Sequence, residues 1–135
     1  MEWPDVELPF KSGQGFEGVL GLEFTELTDE VVRSRVRVRE ELKQPFGLVH
    51  GGIYAAIAES LASWGTAAAV VGEGKIAVGL SNQTSFLRPV TEGHINAVAT
   101  CRHRGRTTWV WEVELQDDAG RLCALTRVTI AVRDR

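Results

Sequence analysis

The feature that most constrains this chain is one long stretch with helical character, from about Gly51 to Val71, set among segments that read as strands. It is rich in Ala and Leu and holds no proline. Tyr54, Ile57, Ala58, Leu61, Ala62, Gly65 and Ala68 recur at steps of three and four, the spacing of one helix face. The other faces are also mostly small or apolar, and a helix apolar nearly all round is usually enclosed by other structure. Gly72 and Gly74 end it.

The remaining segments carry a period of two. Val32, Ser34, Val36 and Val38 alternate with Arg33, Arg35, Arg37 and Arg39, so one face of this strand is buried and the arginine face is wet. Leu20 to Thr28 reads as a preceding strand, and residues 1–15, with two prolines and two glycines, as an irregular N-terminal segment, a loop or short helix. After the helix, strands are expected from Ile76 to Phe86, Ile95 to Arg104, Thr107 to Gln116 and Leu122 to Val132. The turns between them fall at Thr91-Glu92-Gly93, Arg104-Gly105 and Asp117 to Gly120. Short turns between consecutive strands imply antiparallel pairing. The expected architecture is α+β: one central helix against an antiparallel sheet of five or six strands, in a single domain over residues 1–135.

Composition narrows the function classes. No apolar run reaches about 18 residues, since the longest, Ala55 to Val71, is broken by Glu59, Ser60, Ser63, Gly65 and Thr66, so no membrane association is expected. The start, Met-Glu-Trp-Pro-Asp, does not look like a signal peptide, and a cytoplasmic location is the expectation. Cys101 and Cys123 are far apart and lack neighbouring His ligands, so they read as small buried side chains and no metal is expected. A net charge of −3 argues against nucleic-acid partners. Arg102, His103, Arg104 and Arg106 nevertheless form a basic knot.

Chemistry concentrates between Gln44 and Ser63. Gly51 and Gly52 open the helix although glycine is a poor helix former. The first N–H groups of a helix lack internal partners and sit in the positive potential of its dipole, and glycine lets a ligand approach them. A carbonyl placed at Gly51 would be polarised there. A plain loop-to-helix junction is the blander explanation. Glu59 is a carboxylate within an apolar helix, either functional or on an exposed face. Ser63 lies at i+4 from it, where side chains meet. Taken singly, His50, Ser63 and Gln44 are each ordinary.

Together these residues resemble the hot-dog-fold acyl-CoA thioesterases of the branch that contains 4-hydroxybenzoyl-CoA and 1,4-dihydroxy-2-naphthoyl-CoA thioesterases, related to the phenylacetate-pathway enzymes. The resemblance rests on Gln44, Pro45-Phe46-Gly47, His50-Gly51-Gly52 and Ala58-Glu59-Ser60, and continues through Arg104-Gly105-Arg106, Trp109 to Leu115 and Gly120-Arg121-Leu122, roughly residues 40 to 132. It implies that the Gly51 N–H binds the thioester carbonyl and that Glu59 attacks it or activates water. It further implies that Gln44 and His50 hold the carbonyl or the water, that Ser63 supports Glu59, and that no cofactor is needed. Glu rather than Asp at position 59 is similar to the aroyl-CoA side of the family. The acyl pocket is not fixed by the motif. Trp64, Phe46 and Tyr54 are candidates for a flat aromatic pocket, and equally for the core.

A thioester is electrophilic and its thiolate leaves well, so one carboxylate and one preorganised N–H suffice. An apolar setting would raise the carboxyl pKa of Glu59 and make it a better base. The phosphates of coenzyme A need cations, for which Arg88, Arg104 and Arg106, with Thr107 and Thr108, are the candidates, each otherwise a surface group. The alternatives are a hot-dog hydratase or dehydratase and a non-catalytic acyl-CoA-binding module. The partners implied are an acyl-CoA substrate and further copies of the chain, as a dimer or a dimer of dimers. Geometry agrees: Gly51 and Glu59 are about 12 Å apart along one helix, too far to serve one reacting group.

Overall fold

The computed structural model describes residues 13–135. The N-terminal segment expected to be irregular therefore lies outside the described residues up to position 12. At its end Gly15 opens a short helix, α1 (Gly15–Leu20). Leu20, expected in the first strand, is the last residue of α1. Gly21 closes the helix in the left-handed conformation (φ 71°), where glycine costs least. Arg39 caps the free end: Nη1 donates to the Leu20 carbonyl at 2.9 Å and Nη2 to that of Val19. Arg39 thus leaves the arginine face expected for it, while Arg33, Arg35 and Arg37 stay exposed on their strand.

Two strands follow, β1 (Glu23–Leu27) and β2 (Val31–Arg37). A polar loop leads to α2 (Gly51–Val70), and a short 310 turn, Val71–Glu73, joins it to β3 (Lys75–Phe86). β4 (His94–Arg104), β5 (Thr108–Gln116) and β6 (Leu122–Asp134) complete the chain. The six strands form one sheet in the order β1-β2-β4-β5-β6-β3, and each adjacent pair is antiparallel.

α2 lies across this sheet in contact with β2 through β6. Its buried face presents Ile57, Leu61 and Gly65 to the core residues Val32, Ile95 and Trp111, as the three- and four-residue spacing requires. Gly65 allows the close approach, since a Cβ there would sit 2.5 Å from Trp111 Cη2 and 2.9 Å from Val32 Cγ2. The buried Trp111 indole donates to Thr66 Oγ1 at 2.9 Å, and that hydroxyl donates to the Ala62 carbonyl at 2.9 Å. These bonds, each about 1 kcal/mol, fix the rotation of α2 on the sheet.

One expectation needs correcting. With its 310 extension α2 spans Gly51–Glu73, 23 residues with a single charged residue before Glu73. By length and composition alone it is apolar enough to cross a membrane, because the small Ser, Thr and Gly residues interrupt apolarity less than a count of breaks suggests. Half of its most apolar stretch is buried inside the fold, which is how a core helix passes the same test.

β3 ends the sheet. It pairs with β6 alone, and a bulge interrupts the pairing between Gly79 and Ser81. The bulge leaves Leu80 without a partner on β6. Ile76, Val78, Leu80, Phe86 and Leu87 on or beside this strand are 40–59% exposed. A long apolar strand with one unpaired edge is a template for another chain.

Candidate active site

The loop before α2 is held by its own backbone. Lys43 and Val49 form a bridge, the Gln44 N–H donates to the Leu48 carbonyl at 2.8 Å, and that of His50 donates to Leu42 at 2.9 Å. Gln44 and His50 are therefore fixed at the N-terminal end of α2. Gln44 Oε1 accepts the Phe46 N–H, which leaves the side-chain NH2 as a donor. His50 is the N-cap residue of α2, and its Nδ1 accepts the Gly52 N–H at 2.9 Å. An accepting Nδ1 places the ring proton on Nε2, which becomes a second donor.

This arrangement leaves one orphan. Gly52 is satisfied by His50 and Ile53 by the His50 carbonyl at 3.0 Å, whereas the N–H of Gly51 donates to no group among the described residues. A Cβ on Gly51 would lie 2.9 Å from Phe86 Cε1, so a side chain there would have to push that exposed ring aside. Phe86 in turn sits 6.2 Å from the Tyr54 ring. Tyr54 is buried in the core, where burial pushes its pKa up to about 12 against the opposing effect of the Val90 backbone beside its hydroxyl.

Glu59, two turns further on, is the only charged residue of α2. It is exposed in the single chain, so the apolar enclosure expected for it is not supplied by this chain alone. Its carboxylate lies against β3: a Cβ on Gly79 would be 2.6 Å from Glu59 Oε1. Along the same side of β3, the Asn82 amide donates to the Ala55 carbonyl at 2.9 Å, one turn before Glu59. Thr84 Oγ1 donates to Asn82 Oδ1 at 2.8 Å and meets Thr126 Oγ1 at 3.0 Å. Gly79, Asn82 and Phe86 escaped the sequence reading. Of these only Gly79 left a signal, a glycine inside a strand, which marks a bulge or a close approach.

Ser63 lines a cavity of about 530 Å3 between α1 and α2, together with Ser60, Phe16, Glu17, Trp64 and Ala77. The Trp64 indole donates to both Glu17 carboxylate oxygens at 2.9 Å and packs edge-on to Phe24 at 5.7 Å. Of the three aromatic candidates, Trp64 lines this cavity, Tyr54 is core, and Phe46 is 91% exposed at the loop tip.

The cations separate. Arg104, Arg106 and Lys75 line a second cleft, of about 280 Å3, with Glu73 at the C-terminal end of α2. Arg104 pairs with Asp29 and stacks 4.6 Å over Trp109. Arg106 and Thr107 are exposed beside it, Thr108 is half-buried, and Arg106 has no ion-pair partner among the described residues. Arg88 stands elsewhere. Its N–H donates to Cys123, whereas Thr107 accepts from Val132, nine residues along β6. At about 3.3 Å per residue the two groups are roughly 30 Å apart, so one chain does not bring the proposed cations together. Among the described residues no group of three or more His, Cys, Asp and Glu side chains could hold a metal ion.

One long helix packed across a six-stranded antiparallel sheet is the hot-dog arrangement. The family description "Thioesterase superfamily" matches residues 46–124, and the chain belongs to that family. It is 36% identical over 115 residues to the 1,4-dihydroxy-2-naphthoyl-CoA hydrolase of Escherichia coli, covering 85% of this chain and 84% of that protein. It is also 36% identical over 113 residues to the proofreading thioesterase EntH of Cronobacter turicensis, covering 84% and 82%. The crystal structure of a variant of the thioesterase PA1618 from Pseudomonas aeruginosa superposes with a TM-score of 0.84 at 35% identity, over 88% of this chain and 86% of that one. The reaction class is thioester hydrolysis.

Proposed function

We propose that the chain hydrolyses acyl-CoA thioesters, aroyl-CoA esters foremost, to a free carboxylic acid and coenzyme A. The observation that carries this reading is the unpaired Gly51 N–H, left bare while His50 takes the next N–H of the same helix turn. That N–H would receive the thioester oxygen, with the Gln44 amide and His50 Nε2–H beside it. Charge growing on the oxygen in the tetrahedral state would strengthen these bonds, and one such donor is worth about 100- to 1,000-fold in rate. Glu59 either removes a proton from water as the oxygen attacks carbon, or attacks carbon itself to give a mixed anhydride that water then hydrolyses to the free acid and Glu59. In both routes the C–S bond breaks and the thiolate leaves. Ser63, one turn on, would support the carboxylate.

The site so described needs two chains. Gly51 and Glu59 are about 12 Å apart along α2. A two-fold axis that pairs two β3 edges would set two α2 helices antiparallel, with Gly51 of one chain near Glu59 of its partner. The exposed apolar residues of β3 and the exposed carboxylate support this arrangement. The same pairing would carry Arg88, at the N-terminal end of one α2, toward the Arg106 cleft at the C-terminal end of the other, where the phosphates of coenzyme A would lie. A dimer of such dimers is the assembly we favour, acting in the cytoplasm.

The preference for aroyl groups draws on the cavity beside Ser63, walled by Phe16 and Trp64, and on the naphthoyl-CoA hydrolase among the relatives. Release of free thiol from a panel of benzoyl-, hydroxybenzoyl-, hexanoyl- and decanoyl-CoA tests it. Hydrolysis with the highest kcat/KM on the aroyl esters is expected; faster turnover of the alkyl esters would overturn the preference, and no turnover of any would overturn the reading. Single-turnover hydrolysis in 18O-water separates the two roles of Glu59. Label entering the enzyme carboxylate marks a nucleophile, and label entering only the product marks a general base.

A further inference from the structure

Gly79 is not required by its backbone. Seven described glycines adopt positive φ, and Gly79 is not among them. Space is what excludes a side chain here. The three heavy atoms nearest to a Cβ built on Gly79 all belong to Glu59: Oε1 at 2.6 Å, Cδ at 3.6 Å and Cγ at 3.9 Å. Real Cβ atoms do not approach other atoms to 2.6 Å, so a methyl group and the carboxylate cannot both occupy this place.

The surrounding geometry makes the place specific. Gly79 is the last residue of β3 in register with β6 before the bulge, and the register resumes at Ser81. Beyond the bulge the helix-facing positions are Asn82 and Phe86, which contact Ala55 and Gly51. β3 therefore tracks the helix with three fittings: a ring beside the Gly51 Cα, an amide on the helix backbone, and an empty position under the carboxylate.

We propose that Gly79 is a positioning residue that seats the Glu59 carboxylate against β3 by having no side chain. This rests on the role proposed for Glu59. Because the clashing atoms are the far end of a flexible, exposed side chain, the fold can accept a methyl group, but only by swinging the carboxylate aside. Displacement of a reacting group by about 1 Å can cost on the order of 100-fold in rate. Ground-state binding of the acyl-CoA, which uses other groups, should change little.

The test is Gly79→Ala, alone and combined with Glu59→Ala, measured by thiol release from benzoyl-CoA, thermal unfolding and gel filtration. Gly79→Ala should keep the wild-type elution volume and a melting temperature within a few degrees, and lower kcat about 10- to 100-fold with KM changed less than about threefold. A crystal structure of the variant should show the Glu59 carboxylate moved off β3. Adding Gly79→Ala to Glu59→Ala should lower the residual activity no further. Wild-type kcat in Gly79→Ala, an unmoved carboxylate, or unfolding or altered assembly of the variant would overturn the proposal, since each means that the methyl group meets something other than Glu59. If Glu59→Ala itself turns over normally, the role of Glu59 fails instead, and the two failures are told apart.

Discussion

At the scale of single residues, the candidate site is a set of polar groups with assigned and unassigned hydrogen bonds, and the unassigned ones make the predictions. Among the described residues Arg106 has no ion-pair partner, whereas Arg102 pairs with Glu112 and Arg104 is spent on Asp29 and Trp109. Arg106→Ala should raise KM for a coenzyme A ester severalfold with a smaller change in kcat, as loss of a remote phosphate contact does. It should leave KM for the corresponding pantetheine ester unchanged; an equal rise for both esters would place the phosphates elsewhere. Tyr54 makes a prediction about pH. Its folded pKa, about 12, lies above the ordinary value of 10 because burial opposes the phenolate. The folded state then holds a proton that the unfolded state gives up between about pH 10 and 12, so stability should fall through that window. Tyr54→Phe should remove this fall between pH 10 and pH 12, and at pH 8 it should cost no more than about 1 kcal/mol, the worth of one neutral hydrogen bond, since the buried ring is kept. Urea unfolding at these pH values measures both effects, and an unchanged alkaline slope in Tyr54→Phe would contradict the assignment.

The elements were legible in the sequence to different degrees, and the reasons are physical. α2 and β2 announce themselves because burial on one face imposes a period, 3.6 or 2, on their residues. β3 hides its two-sided exposure, since the same run of apolar residues reads like a strand covered on one face by its own chain. α1 was missed as a separate element. Its six residues are too few to show a period, and the Arg39 cap that ends it arrives from the loop after β2, 19 residues away. The position of Glu59 on α2 was readable, but not that Gly79 lies beneath it, because no local pattern links residues on two elements. α1 also carries a consequence for the cavity it walls. Glu17 holds the Trp64 indole by two 2.9 Å bonds, and removing it should loosen that wall. Glu17→Ala should lower the ratio of kcat/KM for benzoyl-CoA over decanoyl-CoA severalfold, measured by thiol release. A ratio equal to wild type would mean that Trp64 does not bound the acyl group.

At the scale of the whole molecule, the single chain is a sheet with an unfinished edge and a site with its parts too far apart. Both gaps would close in the two-fold pairing proposed above. Replacing Leu80, 57% exposed on the bulge of β3, by Lys should place a charge in that seam. Leu80→Lys should shift the protein to monomer in sedimentation and abolish turnover while the circular dichroism spectrum is kept; an active monomer would refute a shared site. The most direct measurement combines the carboxylate and the bare N–H in one experiment. Glu59→Ala removes the first. Gly51→Pro removes the second at the first helical position, which tolerates proline. Each variant alone should be lower in kcat by at least about 100-fold. Denatured together in equal amounts and refolded, they should regain about a quarter of wild-type activity, because half of random dimers are mixed and each mixed dimer has one intact site of two. A mixture that stays as inactive as its parents, although mixed dimers form, would contradict the account.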